Sequence, residues 1–389
     1  MKPKASKPKP AESPEKSATA KPRANALRLK PVSEQVIVIT GATSGIGLST
    51  ARAAAGRGAK LVLTSRNEEA LKAVHADLTT KGASVAYAVA DVADHLALQG
   101  VADLAIERFG GFDTWVNNAG VSIFGSIAKT PIEDQRRLFE TNYWGLVNGS
   151  LIAAEHFRTR AGGGAVINVG SVLGDVAMPL QGAYSASKHA VKGFTQALRL
   201  EMIGQSAPVS VTLIKPSAVD TPYKDHARNL TGMAVRNPPP VYGASLAAQA
   251  ILYAAEHRVR ELTVGGGGRA LAILGAVAPF LAEPLVAWAA PGLTRDGSGR
   301  RQALVDNLYA PGQDLRERSF QKAVRESSLY TTAQMRPKTT LTLAVIAGLA
   351  ASLAFRLGRS NVKDSHDRHA NLDEPAPDRR FTPWLRRSA

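Results

Sequence analysis

Seven short runs of β-branched and aliphatic residues, separated by longer stretches of helical pattern, constrain this chain more than any other feature in it. Val36–Ile39, Leu61–Leu63, Val85–Val89, Thr114–Val116, Ala165–Val169, Val209–Ile214 and Glu261–Val264 read as strands. Ile46–Arg57, Glu68–Thr80, His95–Phe109, Ile132–Arg158 and Tyr184–Ile203 read as helices between them. Strands alternating with helices of this length are βαβ units, and their near-continuous apolar character suits a parallel sheet covered on both faces. Right-handed crossovers then give an α/β, Rossmann-like doubly wound parallel sheet of about seven strands. Such a sheet places its ligand crevice at the carboxyl ends of the strands.

After Val264 the pattern breaks. Gly265–Gly268 are four consecutive glycines, and Ala270–Ala290 is largely apolar but contains Pro279, Glu283 and Pro284. A polar, turn-rich segment follows to Lys338. Leu341–Phe355 then carries no charge. The expected organisation is a disordered basic tail over 1–32, a catalytic domain over 33–264 and a helical C-terminal extension over 265–338 that packs on the domain. A hydrophobic helix over 339–357 and a polar disordered tail over 358–389 complete it.

The net charge of +16 raises nucleic acid as a partner, so its location matters. Residues 1–31 carry +7, residues 300–338 carry +4 and residues 356–389 carry +3, which leaves +2 for residues 32–299. The central domain is nearly neutral and has no basic patch interleaved with aromatics, so no specific nucleic acid is expected. The chain has no cysteine, which excludes thiolate catalysis and disulfides. No metal is expected either.

Thr40-Gly41-Ala42-Thr43-Ser44-Gly45-Ile46-Gly47 directly follows the first strand and opens the first helix. Glycines here permit a tight turn, close approach of backbone to a pyrophosphate and close packing of helix on strand. The helix N-terminus offers free N–H groups and a positive dipole end. At the end of the second strand a carboxylate would bind the adenosine ribose hydroxyls and favour NAD(H). The residues are instead Thr64-Ser65-Arg66-Asn67. Arg66 and Ser65 suit a 2′-phosphate, so NADP(H) is favoured, with NAD(H) as the alternative cofactor. An Arg66 that only caps a surface loop is the plainer reading. Asp91, after the third strand, either accepts from an adenine amino group or caps the next helix.

Tyr184 and Lys188 are one helical turn apart and share a face. An ammonium close to a phenol stabilises the phenolate and brings the tyrosine toward a usable general acid or base. Ser171 ends the fifth strand, on the rim where open α/β sheets bind ligands.

These residues together make the chain resemble the short-chain dehydrogenase/reductase family over roughly residues 33–264. Thr40–Gly47 corresponds to the family's TGxxxGxG loop, and Asn117-Asn118-Ala119-Gly120 to its NNAG motif. Tyr184 and Lys188 lie in its YxxxK motif. The resemblance implies that Ser171, Tyr184, Lys188 and Asn142 are catalytic, with Asn142 supporting a proton-relay water. It implies that Gly41, Thr43, Ser44, Gly45, Ile46, Gly47, Asn118, Ala119 and Gly120 border the cofactor. It gives Lys188 the nicotinamide ribose, Asp91 the adenine, and Pro216 and Thr221 the nicotinamide side. One departure stands out: the family's Pro-Gly after the sixth strand is Pro216-Ser217 here, which is strained if that position needs a positive φ.

The implied activity is an oxidoreductase that interconverts a carbonyl and an alcohol by hydride transfer, with Tyr184 moving the proton. The segment from about Ala218 to Tyr242, with Val219, Tyr223, Leu230, Met233 and Val235, suits a partly apolar small-molecule substrate. Any lid, however, needs apolar residues to pack. A non-catalytic dinucleotide-binding or tethered scaffold is the competing class, and it would gain nothing from an intact catalytic set. Residues 339–357, flanked by Arg336, Lys338 and Arg359, are either a short membrane anchor or a buried or interfacial helix. With no apolar signal segment near the N-terminus, the expected location is cytoplasmic, with membrane association through 339–357 as the alternative. A homo-oligomer is compatible with all of this.

Overall fold

The computed structural model describes residues 26–294, 306–312, 314–319, 321, 323–342, 345–348 and 352. In chain order the catalytic domain contains β1 (Val36–Thr40), α1 (Gly45–Gly56), β2 (Lys60–Ser65), α2 (Glu68–Thr80) and β3 (Val85–Val89). These are followed by α3 (His95–Phe109), β4 (Thr114–Asn117), α4 (Ile132–Phe139), α5 (Gly145–Thr159) and β5 (Gly164–Val169). Then come α6 (Gly182–Gly204), β6 (Val209–Pro216), α7 (Ala244–Glu256) and β7 (Glu261–Val264). All seven expected strands join one sheet, in the order β7-β6-β5-β4-β1-β2-β3, and every pairing is parallel. The strand order reverses between β1 and β4. A crevice opens there at the carboxyl ends of the strands.

The strands are apolar throughout because both faces are covered. Every residue of β1, β5 and β6 is buried. Alternate side chains serve opposite layers. Ile37, Ile39, Leu61, Leu63 and Ile167 join α1 and α7 on one side. Val38, Val62, Trp115, Val166 and Val211 join α3 and α5 on the other. Asn67 caps α2 through Ala70 N at 3.0 Å, and the Asp94 carboxylate caps α3 through Leu96 N and Ala97 N. Gly110, at φ 78°, closes α3 in the left-handed conformation.

The long helical stretch expected over Ile132–Arg158 is not one helix. It is α4 and α5 joined by a π-turn at Glu140–Trp144, the wider turn that carries Asn142. The ordered domain also begins earlier than residue 33. Val32 is fully buried in the core with Leu29 packed beside it, its N–H donates to Glu256 Oε1 at 2.7 Å, and Arg28 N donates to Gly162 O. The strain anticipated at Ser217 does not arise, because Ser217 has no positive φ; its hydroxyl donates to Gly265 O at 3.0 Å.

In the extension, helices start inside the glycine run. α8 (Gly266–Val277) and α9 (Pro279–Thr294) follow β7 almost at once. Gly268 allows α8 to approach closely, since a Cβ there would sit 2.5 Å from Ser217 Oγ. Farther on, Val324–Arg325 pairs with Val241–Gly243, and α10 (Leu329–Met335) caps β7: Gln334 Nε2 donates to Thr263 O, and Thr331 Oγ1 accepts from Gly265 N. A second unit starts at Arg336. Within it, residues 337–342 and 345–348 are helical, and Leu341, Val345 and Ile346 are exposed. Among the described residues no helix is long and apolar enough to cross a membrane. Residues 1–25 of the tail expected over 1–32, the tail expected over 358–389 and parts of 339–357 lie outside the described residues.

Candidate active site

The glycine loop takes its shape from three positions. Gly41 and Gly45 have φ of 64° and 52°, where a side chain would be strained. Gly47 has an ordinary helical conformation, but a Cβ on it would meet Gly41 O at 2.0 Å. Asn118 holds the loop from β4 by donating its Nδ2 to Thr40 O at 2.9 Å and Gly41 O at 3.1 Å. Thr40 Oγ1 accepts from Asn118 N and Ala119 N, both at 3.0 Å. Asn117 faces the interior instead, where it ties β4 to Asn168 on β5 and to Ser150 on α5.

Beside this loop lies a cavity of about 610 Å³. Every catalytic and cofactor-contacting residue singled out from the sequence lines it, except Gly47 and Asn142. Gly47 sits behind the loop and lets α1 close on it. Asn142 stands behind Gly120, accepting from Val121 N at 2.8 Å and donating to Val121 O at 3.0 Å and Ser187 Oγ at 3.1 Å. A Cβ on Gly120 would lie 3.4 Å from Asn142 Oδ1 and 3.9 Å from Lys188 Nζ, so the two groups flank that glycine.

Ser171 caps a 3₁₀ turn at Val172–Gly174, which fixes its hydroxyl at the end of β5. The side chains of Ser171 and Tyr223 lie beside the Tyr184 hydroxyl. Lys188 is buried, donates to Val169 O at 3.0 Å and holds its Nζ 5.7 Å from the Tyr184 ring centre. Burial pushes the Lys188 ammonium down to about 8. Desolvation raises Tyr184 above its ordinary value, against the lowering pull of Ser171 and Tyr223. The phenol expected to be acidified by its lysine instead holds its proton more tightly than an ordinary tyrosine in the free chain. The two side chains share one cavity wall, as their helical spacing requires.

Three further residues escaped the sequence reading. Tyr223 packs edge-on against Tyr184 with ring centres 5.5 Å apart and donates to Ser122 Oγ at 2.6 Å. Gln181 Nε2 donates to Tyr223 Oη at 2.8 Å. Tyr223 counted only as an apolar lid residue, and its nearness to Thr221 was the one available signal. Thr141 also lines the cavity, and its Oγ1 is buried and without a hydrogen-bond partner among the described residues.

The extension reaches the same cavity as a strap, residues 306–312 and 314–319. Leu308 is fully buried in a cluster with Val121, Ile123 and Leu138, against which Tyr184 packs. Leu315 N donates to Thr43 O at 2.8 Å, Gly45 N donates to Arg316 O at 2.9 Å, and Thr43 Oγ1 donates to Asp314 Oδ2 at 3.0 Å. Arg66 lines the cavity, but its guanidinium donates to the carbonyls of Asn307, Leu308 and Tyr309. Asp91 pairs with Arg137, and its carboxylate accepts from Ala93 N. Asp220 is fully buried and accepts from Ser319, Gln321 and Arg318, which anchors the far end of the strap. Burial opposes its charge, but those donors outweigh it and keep the carboxyl below the usual range.

The donor set suits a nicotinamide dinucleotide. Two glycines in left-handed conformations, a third that clears the loop, and a helix N-terminus together make a backbone cradle for a pyrophosphate. A family model described as short chain dehydrogenase matches residues 35–230. An uncharacterized oxidoreductase of Bacillus subtilis, YxnA, is 42% identical over 335 residues, 85% of this chain and 93% of its own. That match is too long to stop before the extension. SadH of Mycobacterium tuberculosis, a putative oxidoreductase, is 37% identical over 197 residues, 51% of this chain and 70% of its own. Among solved structures, a short chain dehydrogenase/reductase from Burkholderia phymatum in complex with NAD has a TM-score of 0.59 at 28% identity, covering 66% of this chain and 96% of that one. An alcohol dehydrogenase from the archaeon Thermococcus sibiricus, complexed with 5-hydroxy-NADP, has a TM-score of 0.52 at 25% identity, covering 59% of this chain and 95% of that one.

Proposed function

This chain is an oxidoreductase of the short-chain dehydrogenase/reductase family, and on that premise we propose that it interconverts a carbonyl and an alcohol on a partly apolar small molecule. The observation that carries this reading is the meeting of Ser171, Tyr184 and Lys188 on one cavity wall with the glycine loop on the same cavity. A bound nicotinamide dinucleotide supplies or accepts the hydride. Ser171 and Tyr184 hold the substrate oxygen between their hydroxyls. In the reducing direction Tyr184 gives its proton to that oxygen, and the Lys188 ammonium stabilises the phenolate left behind. Lys188 then passes a proton to the phenolate and restores Tyr184, and Asn142, which fixes the backbone at Val121, supports the water that returns a proton to Lys188. Ser65 and Arg66, at the end of a strand that carries no acid of its own, favour NADP(H), while the strap carbonyls that hold Arg66 keep NAD(H) as the alternative dinucleotide.

The sign of the pH dependence follows from Lys188, which is an ammonium below about 8 and a neutral amine above it. Carbonyl reduction therefore falls as pH rises through about 8, while NADPH binding changes less. Oxidation of NADPH and NADH against a panel of ketones, aldehydes, quinones and sterols, run from mildly acid to alkaline pH, tests both the activity and the profile. Consumption of neither dinucleotide with any carbonyl on the panel would sink the reading.

A membrane surface as partner is supported by α8 and α9. Leu271, Leu285 and Val286 line the cavity from these helices, while Val277, Phe280 and Trp288 are exposed on them, Trp288 to 82%. Exposed apolar residues that continue a cavity wall mark a route for a lipophilic substrate. The whole chain is expected to float with anionic vesicles, and a variant with Phe280→Ser and Trp288→Ser to float less. Both remaining with the unbound protein would count against association.

A further inference from the structure

The end of β2 lacks an acid in sequence, yet the structure brings one there from the C-terminal strap. We propose that Asp314 governs the choice between NADH and NADPH, by placing a carboxylate in the space that a 2′-phosphate needs. The proposal rests on the dinucleotide reading above and goes beyond it by assigning a role to the extension.

Three observations carry it. First, Asp314 lines the cavity together with Thr43, Ser65 and Arg66, at the strand end that in doubly wound sheets reads the adenosine ribose. Second, its carboxylate is held there: Oδ2 accepts from Thr43 Oγ1 at 3.0 Å, and the next residue, Leu315, donates its N–H to Thr43 O. Third, Arg66 is engaged. Its guanidinium donates to three consecutive strap carbonyls, so its planar fork is not free to grip a phosphate. Asp314 also lies close enough to attract that guanidinium.

The consequence differs for the two dinucleotides. A ribose 2′-hydroxyl meets a carboxylate that accepts its hydrogen bond. A 2′-phosphate meets a like charge and an arginine already taken, and it binds only when the strap gives way at Thr43 and Arg66. Sequence reading of β2 alone thus overstates the preference for NADP(H).

Dissociation constants for NADPH and NADH, measured by quenching of intrinsic fluorescence on the full chain, test this. Asp314→Asn keeps the shape and the hydrogen bond from Thr43 but removes the charge. It is expected to tighten NADPH at least tenfold relative to NADH, with NADH affinity unchanged or weaker. Glu317→Gln is the control: Glu317 sits on the same strap, pairs with Arg52 and does not line the cavity. An NADPH-to-NADH ratio that stays within twofold of wild type in Asp314→Asn, or that moves as far in Glu317→Gln, overturns the proposal and leaves the dinucleotide reading intact. Failure of the wild-type chain to bind either dinucleotide overturns both.

Discussion

Replacing Tyr184 with Phe is expected to cut turnover by about 10²–10⁴-fold while leaving dinucleotide affinity unchanged. The reason is the narrow role of the lost atom. The ring stays packed against Tyr223 and beside Leu308, so the cavity wall is kept. Only the hydroxyl beside Ser171 and Tyr223 disappears, and with it the proton that the proposed mechanism gives to a carbonyl oxygen. Desolvation holds that proton on the phenol in the free chain, so its release depends on the Lys188 ammonium beside it. Steady-state rates with the best substrate of the panel, alongside a fluorescence titration of the dinucleotide, separate the two effects. Turnover retained at more than a few per cent would move the proton-donor role elsewhere. Tyr223 would then be the nearest replacement, since it lines the same cavity and its ring packs edge-on against Tyr184.

The second large effect concerns a single methyl group. Gly47→Ala is expected to abolish dinucleotide binding and to destabilise the fold by about 1–3 kcal/mol or more. The added Cβ would lie 2.0 Å from Gly41 O and 2.5 Å from Asn118 Nδ2. Gly41 O is backbone, and Asn118 is the side chain that holds the loop, so neither can move without opening the glycine turn. Gly193 in the middle of α6 has nothing within 4 Å of the same position. There the identical substitution is expected to stabilise the chain by about 0.5–1 kcal/mol, through helix propensity alone. Thermal melts of both variants and the dinucleotide titration of Gly47→Ala check the contrast. Tight dinucleotide binding by Gly47→Ala would show that the loop is not the cradle described.

Most of the domain was legible because its signals are local. Val36–Thr40 is buried on both faces, and such a strand needs an unbroken apolar run that is visible in one line of sequence. The spacing of Tyr184 and Lys188 needs only a helix to bring the pair together, and Ser171 needs only a strand end. What stayed hidden depends on long-range packing or on fine backbone geometry. The π-turn around Asn142 keeps helical periodicity on both sides, so no break appears in the pattern. Val32 lies at the edge of a Lys- and Pro-rich tail, and only its contact with Glu256 shows that it belongs to the core. Ser217 has no positive φ, and its hydroxyl donates to Gly265 O at the end of the neighbouring strand, a partner far along the chain.

The strap was the least legible part. Asn307, Leu308 and Asp314 lie in a polar, turn-rich stretch with no periodicity, far along the chain from Thr43 and Arg66. The separation between Thr43 and Asp314 is 271 residues. Arg66 illustrates the cost of reading one strand end in isolation. Its placement beside the cavity was foreseeable, but its partners were not, because they are backbone carbonyls that any sequence can supply.

The central claim is that this cavity passes a hydride between a nicotinamide and a carbonyl carbon while Tyr184 handles the proton. The most direct test uses NADPH or NADH deuterated at C4 of the nicotinamide, with product analysis by mass spectrometry. Deuterium on the carbinol carbon of the alcohol product, with the hydroxyl proton drawn from solvent, is the result this account predicts. An alcohol product that carries no label from either face of the cofactor would contradict it.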